Sequence, residues 1–154
     1  MPCAWGSHDG KQLFLNVSIL NAADADLAKK SHHVPNVRMF RALIDTGAMS
    51  TCITKNTAAA VGLSPIGKAL IQGVSGPQYH NNYLFYVGFT ITPPQSVPPP
   101  SGTPVTVVLQ MIDKPIQGAE FDSGTGGFDV LLGMDVISTG SLKIEGNGGF
   151  SWCW

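Results

Sequence analysis

The residues best suited to chemistry lie in "RALIDTGAMSTCIT", residues 41–54. An apolar run (Ala42, Leu43, Ile44) leads to one carboxylate, Asp45. A hydroxyl (Thr46), a glycine (Gly47) and a small residue (Ala48) follow. Unpaired carboxylates are rarely buried, so an aspartate ending an apolar strand either starts a turn or has a task. In the turn reading, Gly47 supplies a positive φ. In the catalytic reading, Asp45 handles a proton. A second segment strengthens the catalytic reading. "VLLGMD", residues 130–135, has apolar residues before a glycine. Such a segment can pack beside the strand that carries Asp45, and Gly133 would let the two backbones approach closely.

Other candidates are weaker. His8, His32, His33 and His80 form only one local pair, in a polar stretch with no acidic or cysteine cluster nearby, so no metal site is expected. Ser75 lies in "GVSGP" and lacks the strand-to-helix setting of a nucleophile turn. "GTGGF" has neither the lysine nor the following helix of a phosphate loop. Asp122-Ser123-Gly124 could offer a second aspartate, but no apolar strand precedes it and glycines surround it, so it reads as a turn.

The elements that must position Asp45 are mainly strands. Glycine (18) and proline (11) are frequent, and β-branched residues cluster in short runs. Residues 13–20 read as a strand with Leu13, Leu15, Val17 and Ile19 on one face, 21–36 as a loop with at most one helical turn, and 37–45 as a strand. A third strand can begin at 49–54. Three alanines favour a helix over 55–61, with Thr54 or Asn56 as its cap and Gly62 at its left-handed end. Residues 67–91 read as a long hairpin turning at "GVSGP". The proline-rich segment 93–104 is expected as a surface loop. Residues 105–112 read as a strand and 114–127 as a loop. Residues 128–137 read as an apolar strand broken at Gly133 and followed by a short helical turn. Phe150, Trp152 and Trp154 alternate near the end, as on one buried strand face. The fold class is therefore all-β with one or two short helices, and a single domain over 1–154 is expected.

Composition narrows the function. Only 12% of the 154 residues are charged, 44% are apolar and the net charge is −1. Nothing here attracts a polyanion, so nucleic acid is not expected as a partner. Tyr79, Tyr83, Phe85 and Tyr86 then read as hairpin packing rather than a base-stacking platform. No apolar stretch reaches transmembrane length, and "MPCAWGSHDGKQ" does not read as a secretory signal, so no membrane association is expected. Cys3, Cys52 and Cys153 have no C-x-x-C spacing and cannot all pair. That argues against a disulfide framework and for a reducing, cytoplasmic location.

These motifs resemble the retropepsin-like aspartic proteases, the single-lobe retroviral type. The matching pieces are "ALIDTGAMSTCIT", the "GVSGP" turn and "VLLGMD", in that order. The resemblance implies a closed acid-protease barrel, one lobe per chain, working as a homodimer on a polypeptide substrate without metal or other cofactor. It implies that Asp45 is catalytic and that Thr46, Gly47, Ala48 and Gly133 support it. Thr46 would brace the two loops across the axis and Gly47 would admit the substrate backbone. Gly73, Val74, Ser75 and Gly76 would form the tip of a flap, and the C-terminal strand would join the dimer interface. Viral members carry an acidic residue and an arginine where this chain has Met49 and Met134, and they lack the helix at 55–61. Both departures look more like cellular or bacterial relatives.

The chemistry explains the dimer. Two facing carboxylates cannot both ionise comfortably, so they share a proton. The ionised oxygen takes a proton from water as it attacks the peptide carbonyl, and the protonated carboxyl supports the carbonyl oxygen. With one Asp-Thr-Gly per chain, the second carboxylate is expected from a second copy across a two-fold axis. The competing reading is a catalytically silent module of the same fold that binds extended peptide or only dimerises.

Overall fold

The computed structural model describes residues 1–31, 37–73, 75–91, 108–122 and 126–154. Val74, segment 93–104, His32, His33, Ser123 and Gly124 therefore lie outside the described residues. Eleven strands and three short helices occur among those described. In chain order they are β1 (Cys3–His8), β2 (Leu13–Leu20), α1 (Ala22–Ser31), β3 (Met39–Ile44), β4 (Cys52–Thr54), α2 (Lys55–Ala60), β5 (Gly67–Gly73), β6 (Gly76–Ile91), β7 (Val108–Met111), β8 (Ile116–Phe121), β9 (Val130–Leu132), α3 (Met134–Ile137), β10 (Ser141–Ile144) and β11 (Gly149–Cys153).

The sheet order is β10-β11-β1-β2-β3-β9-β4-β8-β6-β5, with β7 also on β6. Strand β2 pairs β6 as well, at Ser18↔Gly88 through Leu20↔Tyr86, so the pairing sequence β2-β3-β9-β4-β8-β6 returns to β2. Alternate residues of these strands fill one core. Val17, Ala42, Ile53, Phe85, Val87, Phe89 and Val130 have no exposed surface. The register matters most where β9 inserts between β3 and β4, parallel to β3 (Ala42↔Val130 to Ile44↔Leu132) and antiparallel to β4. That insertion brings the end of the "VLL" run level with the end of the strand leading to Asp45.

Several expectations hold and others need correction. Helix α2 starts at Thr54, whose side chain accepts the Thr57 N–H, and Gly62 follows it with φ +68°. Residues Ala22–Ser31 form a ten-residue helix rather than a loop. Asn21 caps it by accepting the Asp24 N–H at 2.9 Å, Asp24 and the pair Lys29, Lys30 suit its two ends, and Ala25 and Ala28 pack on Leu20, Leu109 and Met111. Segment 116–121 is a strand rather than a loop. Its glycine is a packing requirement: a Cβ on Gly118 would strike the Thr51 carbonyl and the Phe85 ring.

The two ends of the described chain also differ from expectation. Residues 3–8 form β1, which pairs β11 from Cys3↔Cys153 to Ser7↔Gly149. Cys3 and Cys153 are joined in a disulfide, leaving Cys52 as the free thiol. The argument from cysteines to a reducing compartment therefore falls: strand pairing, not C-x-x-C spacing, brings the two sulfurs together. Phe150 and Trp152 are buried in the chain's own core. Trp154 stacks on Trp152 with centroids 4.4 Å apart and packs on Phe89.

Candidate active site

Asp45 follows the last residue of β3. Its backbone N–H donates to the Leu132 carbonyl at 3.0 Å, which continues the β3–β9 ladder by one bond. The side chain is half-buried, and its Oδ1 accepts the Gly47 N–H at 2.8 Å. The Asp45 carbonyl accepts the Ala48 N–H at 3.2 Å, closing a tight turn in which Thr46 and Gly47 are exposed. Gly47 is not among the glycines with positive φ. Its lack of a side chain serves another purpose, because a Cβ there would lie 3.2 Å from Asp45 Oδ1. A methyl group would crowd one face of the carboxylate that the N–H is holding.

The far side of the turn is tied to the segment after β9. The N–H groups of Met134 and Asp135 donate to the carbonyls of Ala48 and Met49 at 2.8 and 3.2 Å. This approach is possible because residue 133 is glycine: a Cβ there would stand 2.6 Å from the carbonyl carbon of Ser50. Both methionine side chains point outward, Met49 85% and Met134 38% exposed. In one chain they do not replace an ion pair with buried packing.

Sequence reasoning assigned no role to Asp135 or Thr51, yet they form the polar centre of the clamp. Asp135 accepts the Thr51 N–H, with 3.0 Å to each oxygen, and the Thr51 hydroxyl at 2.7 Å. The same hydroxyl oxygen accepts the Gly133 N–H at 3.1 Å. Thr51 is fully buried, so its polar atoms depend on these partners. The available signal was the acidic residue two places after Gly133, in the first turn of a helix.

The hairpin β5–β6 is the other element expected at the site. It pairs from Gly67↔Asn82 to Gly73↔Gly76, and Gly76 has φ +95°. Alternation puts Leu70 and its partner Tyr79 on the same face of the sheet as Tyr83 and Phe85. The last two are buried, while Leu70 and Tyr79 are 59% and 72% exposed. The inner face of the hairpin thus runs out of the core and presents apolar side chains that are largely uncovered among the described residues. At its root, Tyr83 donates to Glu120 at 2.8 Å, and burial followed by this bond raises the Tyr83 pKa. Near the turn, burial raises the Cys52 thiol pKa, which disfavours the reactive thiolate. Among the described residues, no three His, Cys, Asp or Glu side chains come together in a metal-binding group.

Mostly β with few short helices, and with a clamped Asp-Thr-Gly turn where two parallel strands end, the chain is consistent with a retropepsin-like fold. Among solved structures it is similar to a retropepsin-like aspartic protease from Rickettsia conorii, with 16% identity, coverage of 97% of this chain and 89% of that one, and a TM-score of 0.46. No protein-family model matches the chain. No curated protein matches it. No helix among the described residues is long and apolar enough to cross a membrane.

Proposed function

We propose that the protein is an aspartic endopeptidase, a single domain over 1–154 that closes into an acid-protease barrel and works as a homodimer. The observation that carries this reading is the Asp45 turn. One carboxylate is fixed by a backbone bond on either side, keeps an exposed glycine beside it, and is clamped to a second segment through Gly133 and Asp135. A carboxylate that only started a turn would not need the second segment.

In the working dimer, Asp45 of each copy faces the other across the two-fold axis. One is ionised and removes a proton from water, and the other is protonated and hydrogen-bonds the scissile carbonyl. Thr46 braces the pair, Gly47 and Ala48 leave room for extended substrate, and the hairpin with Gly73, Val74, Ser75 and Gly76 at its tip closes over it. The substrate is a polypeptide, and the reaction asks for no cofactor. Asp45→Asn tests the reading directly. Peptide cleavage should fall by about 10³-fold or more, with the urea midpoint and sedimentation coefficient retained. Undiminished cleavage by that variant would sink the assignment.

A further inference from the structure

The outer face of β1, β2 and β3 carries a groove of about 460 Å³ lined by Trp5, Gly6, Ser7, Phe14, Asn16 and Arg41. Its origin is a change of partner. Strands β1 and β2 pair at His8↔Leu13 and Ser7↔Phe14, whereas β2 meets β6 from Ser18 onward. Between those contacts, Leu15, Asn16 and Val17 have ladder partners on the β3 side alone. The groove opens where β1 leaves β2. At Gly6 a Cβ would collide with the Phe150 ring beneath the sheet, so the side chains on either side of it, Trp5 and Ser7, project outward.

Two side chains give the groove its chemistry. The Arg41 guanidinium lies 3.9 Å from the Phe14 ring centroid and donates to the Gly127 carbonyl at 3.2 Å. A guanidinium has five N–H donors, so most of them remain for a ligand, and the two contacts hold their plane in place. Among the described residues no carboxylate reaches ion-pair distance of it, since the single ion pair there is Lys143–Glu145. Asp129, next to Arg41 in the β3–β9 ladder, accepts the Arg41 backbone N–H at 3.3 Å. On the opposite wall, Trp5 is 71% exposed.

We propose that this groove is a docking site for a polypeptide segment with an Asp or Glu beside an aromatic residue. The carboxylate would take the fork of Arg41, the aromatic side chain would lie on Trp5, and the segment's backbone would cross the groove beside the exposed Asn16, whose side-chain amide can donate to it and accept from it. Arg41 is four residues from Asp45, or about 13 Å along the strand at roughly 3.3 Å per residue. The site is therefore separate from the turn and does not depend on the endopeptidase reading.

The test uses the full-length Asp45→Asn protein, so that no probe is cleaved. The peptide Ac-Ala-Phe-Asp-Ala-NH2, its Asn counterpart and benzoate are titrated while the Trp5 indole N–H signal, identified by Trp5→Phe, is followed by NMR. Saturable shifts are expected with the Asp peptide, with binding about 10-fold or more weaker for the Asn peptide and for benzoate. Arg41→Gln, followed by the same signal, and Trp5→Ala, followed by titration calorimetry against the Asp45→Asn protein because its indole signal is gone, should each weaken the Asp peptide by a similar factor. No saturable shift, equal binding of the Asn peptide, or unchanged binding in the exposed Trp5→Ala variant would overturn the proposal. Equal binding of benzoate would overturn it in favour of a small-carboxylate site. If Arg41→Gln does not fold, the Asn peptide on the unaltered groove still decides the role of charge. Failure here leaves the role of Asp45 untouched, and cleavage by Asp45→Asn would leave this site untouched.

Discussion

The turn that holds Asp45 and the hairpin β5–β6 are built in opposite ways. The turn is short, and four of its backbone groups have partners on a distant segment: Asp45 on Leu132, Ala48 on Met134, Met49 on Asp135 and Thr51 on the Asp135 carboxylate. The outer part of the hairpin beyond Asn82 has its own ladder as its regular support, and two of its large apolar side chains are left uncovered. The difference teaches that one region spends hydrogen bonds on fixing a charge, while the other keeps apolar surface available. A carboxylate must be placed within a fraction of an ångström to be useful. A cover over a cleft must instead let its occupant in and out.

The largest expected effect would break the rigid half of this comparison. Asp135→Ala removes the acceptor of the buried Thr51 N–H and hydroxyl, and nothing else in the turn can replace it. Leaving those donors unsatisfied should cost about 2–3 kcal/mol, read as a lowered urea midpoint at unchanged m-value. A loss below about 0.5 kcal/mol would mean that the clamp is held by Gly133 and the backbone alone.

That clamp also marks where sequence reading stopped. The Asp45 turn, the Gly133 segment and the hairpin were visible because each carries a pattern that can be read locally: an apolar run into a carboxylate, an apolar pair before a glycine, a glycine-flanked turn. Asp135 was passed over because its significance lies in a partner 84 positions away, and Thr51 because it looks like an ordinary β-branched strand residue. Strand β8 was hidden for a related reason. "IQGAEF" lacks β-branched density, and its Gly118 is demanded by the Thr51 carbonyl and the Phe85 ring, which belong to other parts of the chain. Helix α1 was the avoidable miss, since Asn21, Asp24 and the two lysines are local signals. The disulfide was not avoidable, because its cysteines are 150 positions apart and only the β1–β11 register brings them together.

The open half of the comparison predicts a separation of effects. Replacing both Leu70 and Tyr79 with alanine removes exposed surface and few buried contacts, so stability should change by less than about 0.5 kcal/mol. If the hairpin covers a bound peptide, KM should rise several-fold in the same protein. A marked fall in the urea midpoint would show that these side chains already pack within one chain, and the contrast with the Asp45 turn would be lost.

The smallest effect concerns the root where the hairpin joins the core. Tyr83 is buried on β6 opposite Gly118 and donates to Glu120, itself half-buried, so Tyr83→Phe at neutral pH should cost no more than about 1 kcal/mol. The informative readout is its pH dependence. Burial, and then the bond to Glu120, raise the Tyr83 pKa above its ordinary value of 10.0. Below that value both folded and unfolded chains carry the phenol proton, and the full stability is present. Above it the unfolded chain loses the proton first, so stability declines as pH climbs toward the folded-state pKa. The other tyrosines and the lysines titrate in both proteins, so the difference between wild type and Tyr83→Phe isolates this one group. Parallel stability curves from pH 9 to 11 would mean that Tyr83 is not held neutral at the root. Curves that converge as the pH rises, with the wild type losing its advantage, would place the end of the rigid core at Tyr83, just before the uncovered part of the hairpin begins.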